Sequence, residues 1–412
     1  MRHALVFLAL VAACSPAEQP KSLVRGPWLF VFAGAAEHHG ADSTQQSDAV
    51  DFLAVIDADT NSATYARVIA TAPIGVPGTM PHHTELEMPP GGRWLFANAF
   101  MAGKTYLFDL TEPSRPKVAG MADSVPGLRS PHSFFRLPDG NVVGTMQFGD
   151  GREKGDAGGL ALFTPEGRVM RTGRSVDKAF AGAPIRTYAL DVAPATDRVV
   201  TTSSPMNDER TADVVQLWRL SDLSLLRTIP MPTSTADSVW RYPFEIRFLS
   251  DGKSAFMNTW YCAFYHLTRL DGETPAIDRV LTFDFPRESA CGVPLLVGHW
   301  WIMPVGSAHT FVVLDISDPR APRRVSELVA DSGFTAHWMS REPGSNRIAV
   351  SSDAGTRTVR LVRFDSTSGR LSWDEHFRER PDGPLGVSFD RTDWPHGGRG
   401  VAAPHGVVFS RR

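Results

Sequence analysis

The chain has 412 residues, 42% hydrophobic and 21% charged, with 35 Gly, 31 Pro and 3 Cys. That composition is globular and excludes a collagen, a coiled coil, a disulfide-dense miniature and a disordered chain. With 42 Lys and Arg against 45 Asp and Glu the formal charge is -3. The basic excess that nucleic-acid binding needs is missing, so DNA and RNA are not expected partners.

In chain order, the first feature is a basic start followed by the apolar run Ala4 to Ala13, too short to span a bilayer and shaped as a secretory signal. Val11-Ala12-Ala13-Cys14 has the form of a lipobox, whose cysteine thiol receives a lipid before cleavage. An ordinary signal peptide cut after Ala13 is the other reading. The expectation is a signal over 1–13, a lipidated tether over 14–24 starting at Cys14, and one domain over 25–412. Ser15 gives no sign of inner-membrane retention, so the expected location is the periplasmic face of the outer membrane, with the lipid as the only membrane contact.

From residue 50 onward a strand, turn, strand pattern repeats. Leu53–Asp57 returns at Ala66–Ile69, Tyr106–Asp109 precedes a Pro-containing turn, and Leu160–Thr164 returns at Arg168–Met170. Val214–Ile229, Tyr265–Leu281, Val313–Pro322 and Val359–Trp373 continue the series, at a spacing of roughly fifty residues that suits propeller blades. Between them lie second hairpins around Pro90-Gly91-Gly92, Pro138-Asp139-Gly140, Thr196-Asp197, Asp251-Gly252 and Pro343-Gly344, turn residues that supply fixed or positive φ. Each inner and outer hairpin together make a four-stranded blade. Trp28–Ala33 at one end and His405–Ser410 at the other lack local partners and are expected to pair, closing the circle. The fold class is therefore all-β, a seven-bladed β-propeller closed by its terminal strands; two stacked all-β domains are the competing reading.

The first strand of a blade lines the central channel, so residues entering those strands converge at one mouth. They are His82 and His83, His132, Tyr188, Phe244 and Glu245, the Cys291 stretch, His337 and His405. Histidines recurring at one structural phase suit a borderline transition metal such as copper, iron or zinc, not the oxygen-seeking calcium or magnesium. Neighbours on a strand face opposite ways. The distance back from Gly91 and Gly140 favours His83 as the inward residue, and the Pro81-His82, Pro131-His132 and Pro404-His405 dipeptides favour His82; the expectation taken is His83. Glu245 has three readings: a ligand, a carboxylate orienting an imidazole, or a partner of Arg247 or Arg186. His38-His39 and the glycine-rich segment Gly149–Gly159 read as loops over the same mouth. Cys262, between two strands of one blade, and Cys291, entering the next, are expected on one face and near each other, as a disulfide; Cys291 as a free thiolate at the channel is the alternative.

Asp51–Ile69 followed by Pro81-His82-His83 resembles the opening of the selenium-binding protein and methanethiol oxidase family. Ser130-Pro131-His132 with Leu137–Gly140, Gly158–Phe163 and Phe244–Leu249 is similar to its later segments. The resemblance implies a seven-bladed propeller and, in its oxidase members, a copper-dependent conversion of methanethiol to formaldehyde, hydrogen sulfide and hydrogen peroxide. It carries His82, His83 and His132 as site residues; His337 and His405 come from the blade count alone. No cysteine lies near the paired histidines, so selenium binding is not implied, and the chain is a divergent relative. The leading expectation is an exported copper protein oxidising a small thiol. A non-catalytic propeller lipoprotein binding a protein or cell-envelope ligand is the second, and an iron-dependent four-histidine oxygenase the third. The sequence sets no oligomeric state.

Overall fold

The computed structural model describes residues 26–35, 50–88, 92–150, 156–206, 211–234, 238–286, 290–352, 354–391 and 393–411. Cys14, His38-His39 and the centre of the glycine-rich segment lie outside the described residues. Among those described, the regular elements are strands and short 3-10 turns, with no α-helix. The strands form seven antiparallel sheets. Their innermost strands are Pro81–Thr84 in blade 1, Leu128–Arg136 in blade 2, Thr187–Ala193 in blade 3 and Pro243–Phe248 in blade 4. Leu295–Val297 in blade 5, Trp338–Arg341 in blade 6 and Ala402–Phe409 in blade 7 complete the set. Blade 7 joins the two ends of the chain: Ala402–Phe409 pairs with Trp28–Ala35, which pairs with Phe52–Asp57 and, through it, Val68–Pro73. That pairing buries two edges that would otherwise offer open ladders to other chains.

Alternation along the closing strands shows why both faces are apolar. Leu29 and Val31 pack with Trp338, Val359 and Leu361 of blade 6, while Phe30 and Phe32 pack with Leu95 and Phe108 of blade 1. A period of two thus feeds two inter-blade cores at once. Phe32 meets Phe108 edge to face at 5.5 Å between centroids.

One buried ion pair links two blades. Arg136 in blade 2 donates from Nε and Nη2 to the two carboxylate oxygens of Glu85 at the end of the inner strand of blade 1, at 2.6 and 2.8 Å. Glu85 also accepts from the Phe96 amide, and Arg136 also donates to Gly140 O and Trp94 O. The side chains are 1% and 8% exposed, so this fork is an interior contact.

Cys262 and Cys291 are joined by a disulfide, with Cα atoms 5.3 Å apart. It ties the turn after the second strand of blade 4 to the segment that enters blade 5, beside Trp260, whose carbonyl accepts from the Cys291 amide. Both cysteines are buried, at 2% and 0% exposure. The folded protein is therefore expected to resist reductant until it opens. A Cys262→Ala/Cys291→Ala variant is expected to lose roughly 3 to 4 kcal/mol on the chain-entropy account of a 29-residue separation. Denaturant titration of the oxidised protein and the variant measures the difference.

Candidate metal centre

The inner strands do not alternate regularly where the channel residues stand. Pro81 is opposite Ala99 but Thr84 is opposite Ala97, so His82 and His83 occupy a bulge with one residue too many. The same irregularity recurs at His132-Ser133, Tyr188-Ala189, Phe244 and His405-Gly406. Three of these bulges are set up by a non-glycine residue in the left-handed region just before the proline: Met80 at φ 55°, Ser130 at 57° and Tyr242 at 57°. A bulge re-aims side chains and breaks the two-residue alternation. The expectation that one of the paired histidines faces away is therefore corrected: His82 and His83 stack ring on ring, centroids 4.1 Å apart. His82, not His83, borders the open cavity, and His83 sits one layer deeper against Trp338, at 4.5 Å.

Each bulge frees backbone polar groups, and a polar side chain from the second strand takes them up. Asn98 accepts from the His83 amide and donates to Pro131 O of the next blade. Thr145 accepts from the Ser133 amide and donates to Tyr188 O; Thr202 accepts from the Ala189 amide and donates to Phe244 O. Asn258 donates to Cys291 O, and Ser351 to His405 O. These side chains stitch successive inner strands together and fix where the channel residues stand. Gly406 permits a close approach of blade 7 to blade 1: a Cβ there would lie 2.6 Å from Thr84 N and 2.8 Å from His82 O. An alanine would push His405 away from His82.

His82, His83, His337 and His405 converge so that one ring nitrogen of each lies within 4.8 Å of the others. They come from blade 1, the segment entering blade 6, and blade 7. His132 is beside them, its ring 4.2 Å from His83, but outside that set. Its Nδ1 is 3.1 Å from the Tyr188 carbonyl, which only accepts, so Nδ1 carries the proton; its Nε2 lies 3.1 Å from Met206 Sδ. Ser133 Oγ stands 3.0 Å from Nδ1 of both His83 and His132, and so does the orienting expected of Glu245. Glu245 is instead ion-paired with Arg247 at 2.8 Å, one of its three readings.

Burial, and then the neighbouring imidazoles, hold His82 and His83 well below the usual histidine range. Burial likewise pushes His132 down to about 3, against the pull of the Tyr188 carbonyl. Neutral imidazoles keep a lone pair for a metal. His82 Nδ1, His83 Nε2 and His337 Nε2 are buried without a hydrogen-bond partner among the described residues. An unsatisfied buried polar atom costs about 1–3 kcal/mol, and a transition-metal ion held where the four imidazoles converge would offset that cost for the nitrogens it binds.

A cavity of about 710 Å³ opens over this set. Its floor includes His82, His337 and His405; Tyr188, Phe244 and Trp260 are among its walls. Trp260 and Met206 escaped the sequence reading because turns and loops deliver them, and Ser133 because the bulge re-aims it from beside His132 toward His83 of the neighbouring blade. The stitching residues left a readable trace: a polar residue after apolar ones on the second strand in blades 1, 2, 3, 4 and 6.

No family model matches the chain. A methanethiol oxidase from Hyphomicrobium sp. is 29% identical over 127 residues, which are 30% of this chain and 28% of that protein. A hypothetical selenium-binding protein from Sulfolobus tokodaii superposes with a TM-score of 0.72 at 14% identity, over 94% of this chain and 95% of that one. The chain resembles the selenium-binding protein and methanethiol oxidase family in sequence and in fold. The matched stretch spans under a third of the oxidase, so that protein's activity is not transferred by the likeness alone. The propeller itself is shared more widely: the periplasmic gluconolactonase of Pseudomonas aeruginosa superposes with a TM-score of 0.61 at 13% identity, over 93% of this chain and 99% of that one.

Proposed function

We propose that the protein is an exported copper enzyme that oxidises a small thiol with dioxygen. The observation that carries this reading is the convergence of His82, His83, His337 and His405 beneath an open cavity. Four imidazole nitrogen donors suit copper, and suit iron as the alternative. His82, His337 and His405 would hold the ion from the cavity floor and His83 from below, with His132 and Ser133 fixing the imidazole planes. Copper supplies redox chemistry and a Lewis-acid position for sulfur. The chain's own residues bind and orient: Tyr188, its phenol held protonated well above the usual range by burial, presents a donor on the wall. Tyr188, Phe244 and Trp260 give the substrate an aromatic surface to pack against.

One thiol RCH2SH, one dioxygen and one water give one aldehyde RCHO, one hydrogen sulfide and one hydrogen peroxide; the two electrons leave the thiol carbon and end on dioxygen. Oxygen-electrode traces of copper-loaded protein with a thiol should show uptake matched one to one by peroxide. Absence of uptake with both copper-loaded and iron-loaded protein would leave a non-catalytic binding propeller as the reading.

Export through the signal and anchoring at Cys14 belong to the same proposal and place the disulfide in an oxidising compartment. Cys14→Ser is expected to move the protein out of the membrane fraction or leave it as precursor. Unchanged fractionation contradicts the anchor.

A further inference from the structure

We infer that the cavity over the histidines is built for a molecule with a neutral, ring-sized body, such as an aromatic thiol, and not for a two-heavy-atom thiol or an anion. The inference rests on the proposed thiol chemistry for the sulfur, while the shape and polarity of the cavity carry the rest.

Size comes first. At about 710 Å³ the cavity falls in the range of sites for drug-sized ligands. Methanethiol, counted at roughly 30 Å³ per heavy atom, the share one water takes in the liquid, would fill about a tenth of it.

Lining chemistry is the second point. Rings run without interruption from the histidines into the wall. His132 packs on Tyr188 at 3.8 Å, Tyr188 on Phe244 at 4.8 Å, and Phe244 meets Trp260 edge to face at 4.9 Å. Aromatic pairs prefer these offset and edge geometries, and an aromatic guest extends such a series at its open end, which is half-buried Trp260. No Asp, Glu, Lys or Arg is among the described residues that line the cavity. Among these described residues a carboxylate would find no counter-charge to offset the hydration it gives up. Glu245 and Arg247 lie nearby but neutralise each other.

Rigidity is the third. Trp260 stands two residues before Cys262, whose disulfide to Cys291 fixes that corner, and its carbonyl accepts from the Cys291 amide. A wall held in place before the ligand arrives spares the ordering penalty of binding.

The test uses metal-free full-length protein and calorimetric titration with three probes: benzyl mercaptan, methanethiol and 4-(mercaptomethyl)benzoate. Benzyl mercaptan is expected to bind at least tenfold more tightly than either of the others. Trp260→Ala should weaken benzyl mercaptan binding several-fold, and Trp260→Phe should retain most of it, with circular dichroism reporting the fold of each. Ratios below about threefold in either wild-type comparison, or no binding by any probe, overturn the inference. Oxygen uptake by the loaded protein is scored separately. Selective binding without uptake sinks the oxidase reading and leaves the cavity assignment standing; uptake with no preference for the ring does the reverse.

Discussion

His82→Ala/His83→Ala protein is expected to retain less than a tenth of the transition metal that the parent holds. The two imidazoles are stacked, and both have a buried nitrogen with no hydrogen-bond partner among the described residues. Their removal takes two of the four converging donors and leaves His337 and His405 as a pair with open positions. His132→Ala is expected to weaken metal retention without abolishing it, because His132 lies outside the four converging histidines, its Nε2 stands 3.1 Å from Met206 Sδ, and its ring supports His83 from the side. Metal analysis after loading and desalting reads both results. Equal loss in the two variants would put His132 among the direct ligands and overturn this ranking.

Arg136→Ala carries the largest expected effect on stability. Glu85 is 1% exposed on its side chain, and Arg136 is the cation it pairs with. Burial raises the Glu85 carboxyl above its usual range even with that guanidinium present. Taking the partner away leaves an uncompensated buried charge, a loss of about 3–5 kcal/mol. The pH dependence has a definite sign. The unfolded chain ionises Glu85 near the ordinary glutamate value, whereas the folded variant must keep it protonated, so stability falls as pH rises above that value. Denaturant midpoints at pH 4.5 and 7 should therefore diverge more for Arg136→Ala than for the parent. A variant as stable as the parent at pH 7 would show that the fork does not hold blades 1 and 2 together.

The circular architecture was readable because each blade repeats one grammar: an apolar strand, a Pro, Gly or Asp turn, a return strand. Two leftover strands, Trp28–Ala35 and Ala402–Phe409, then had only each other to pair with. The histidines were readable for the same reason, since a repeat puts equivalent residues at equivalent depth. Their orientation was not. Strict alternation sends His82 and His83 to opposite faces, and the bulge that overrides it depends on a left-handed Met80, on Asn98 across the ladder and on the absence of a Cβ at Gly406. The Pro-His dipeptides carried the better signal, because a proline stands just before the bulged residues in blades 1, 2 and 7, as Pro243 does in blade 4. Glu245 illustrates a different limit. A carboxylate next to a channel residue can face an imidazole or a guanidinium, and the choice falls to Arg247, two residues along the same strand, at 2.8 Å. Met206 and Trp260 reach the site from loops whose paths are set by neighbouring blades, which no local pattern encodes.

The most direct measurement of the central claim is metal stoichiometry with spectroscopy on the mature protein. After loading with copper(II) or iron(II) and removal of excess, about one ion per chain is expected. The copper form should give an electron paramagnetic resonance spectrum with splitting from several nitrogen ligands, and His82→Ala/His83→Ala should lose it. Less than a tenth of an ion per chain after both loadings, or a copper spectrum without nitrogen splitting, would contradict a metal centre at the converging histidines.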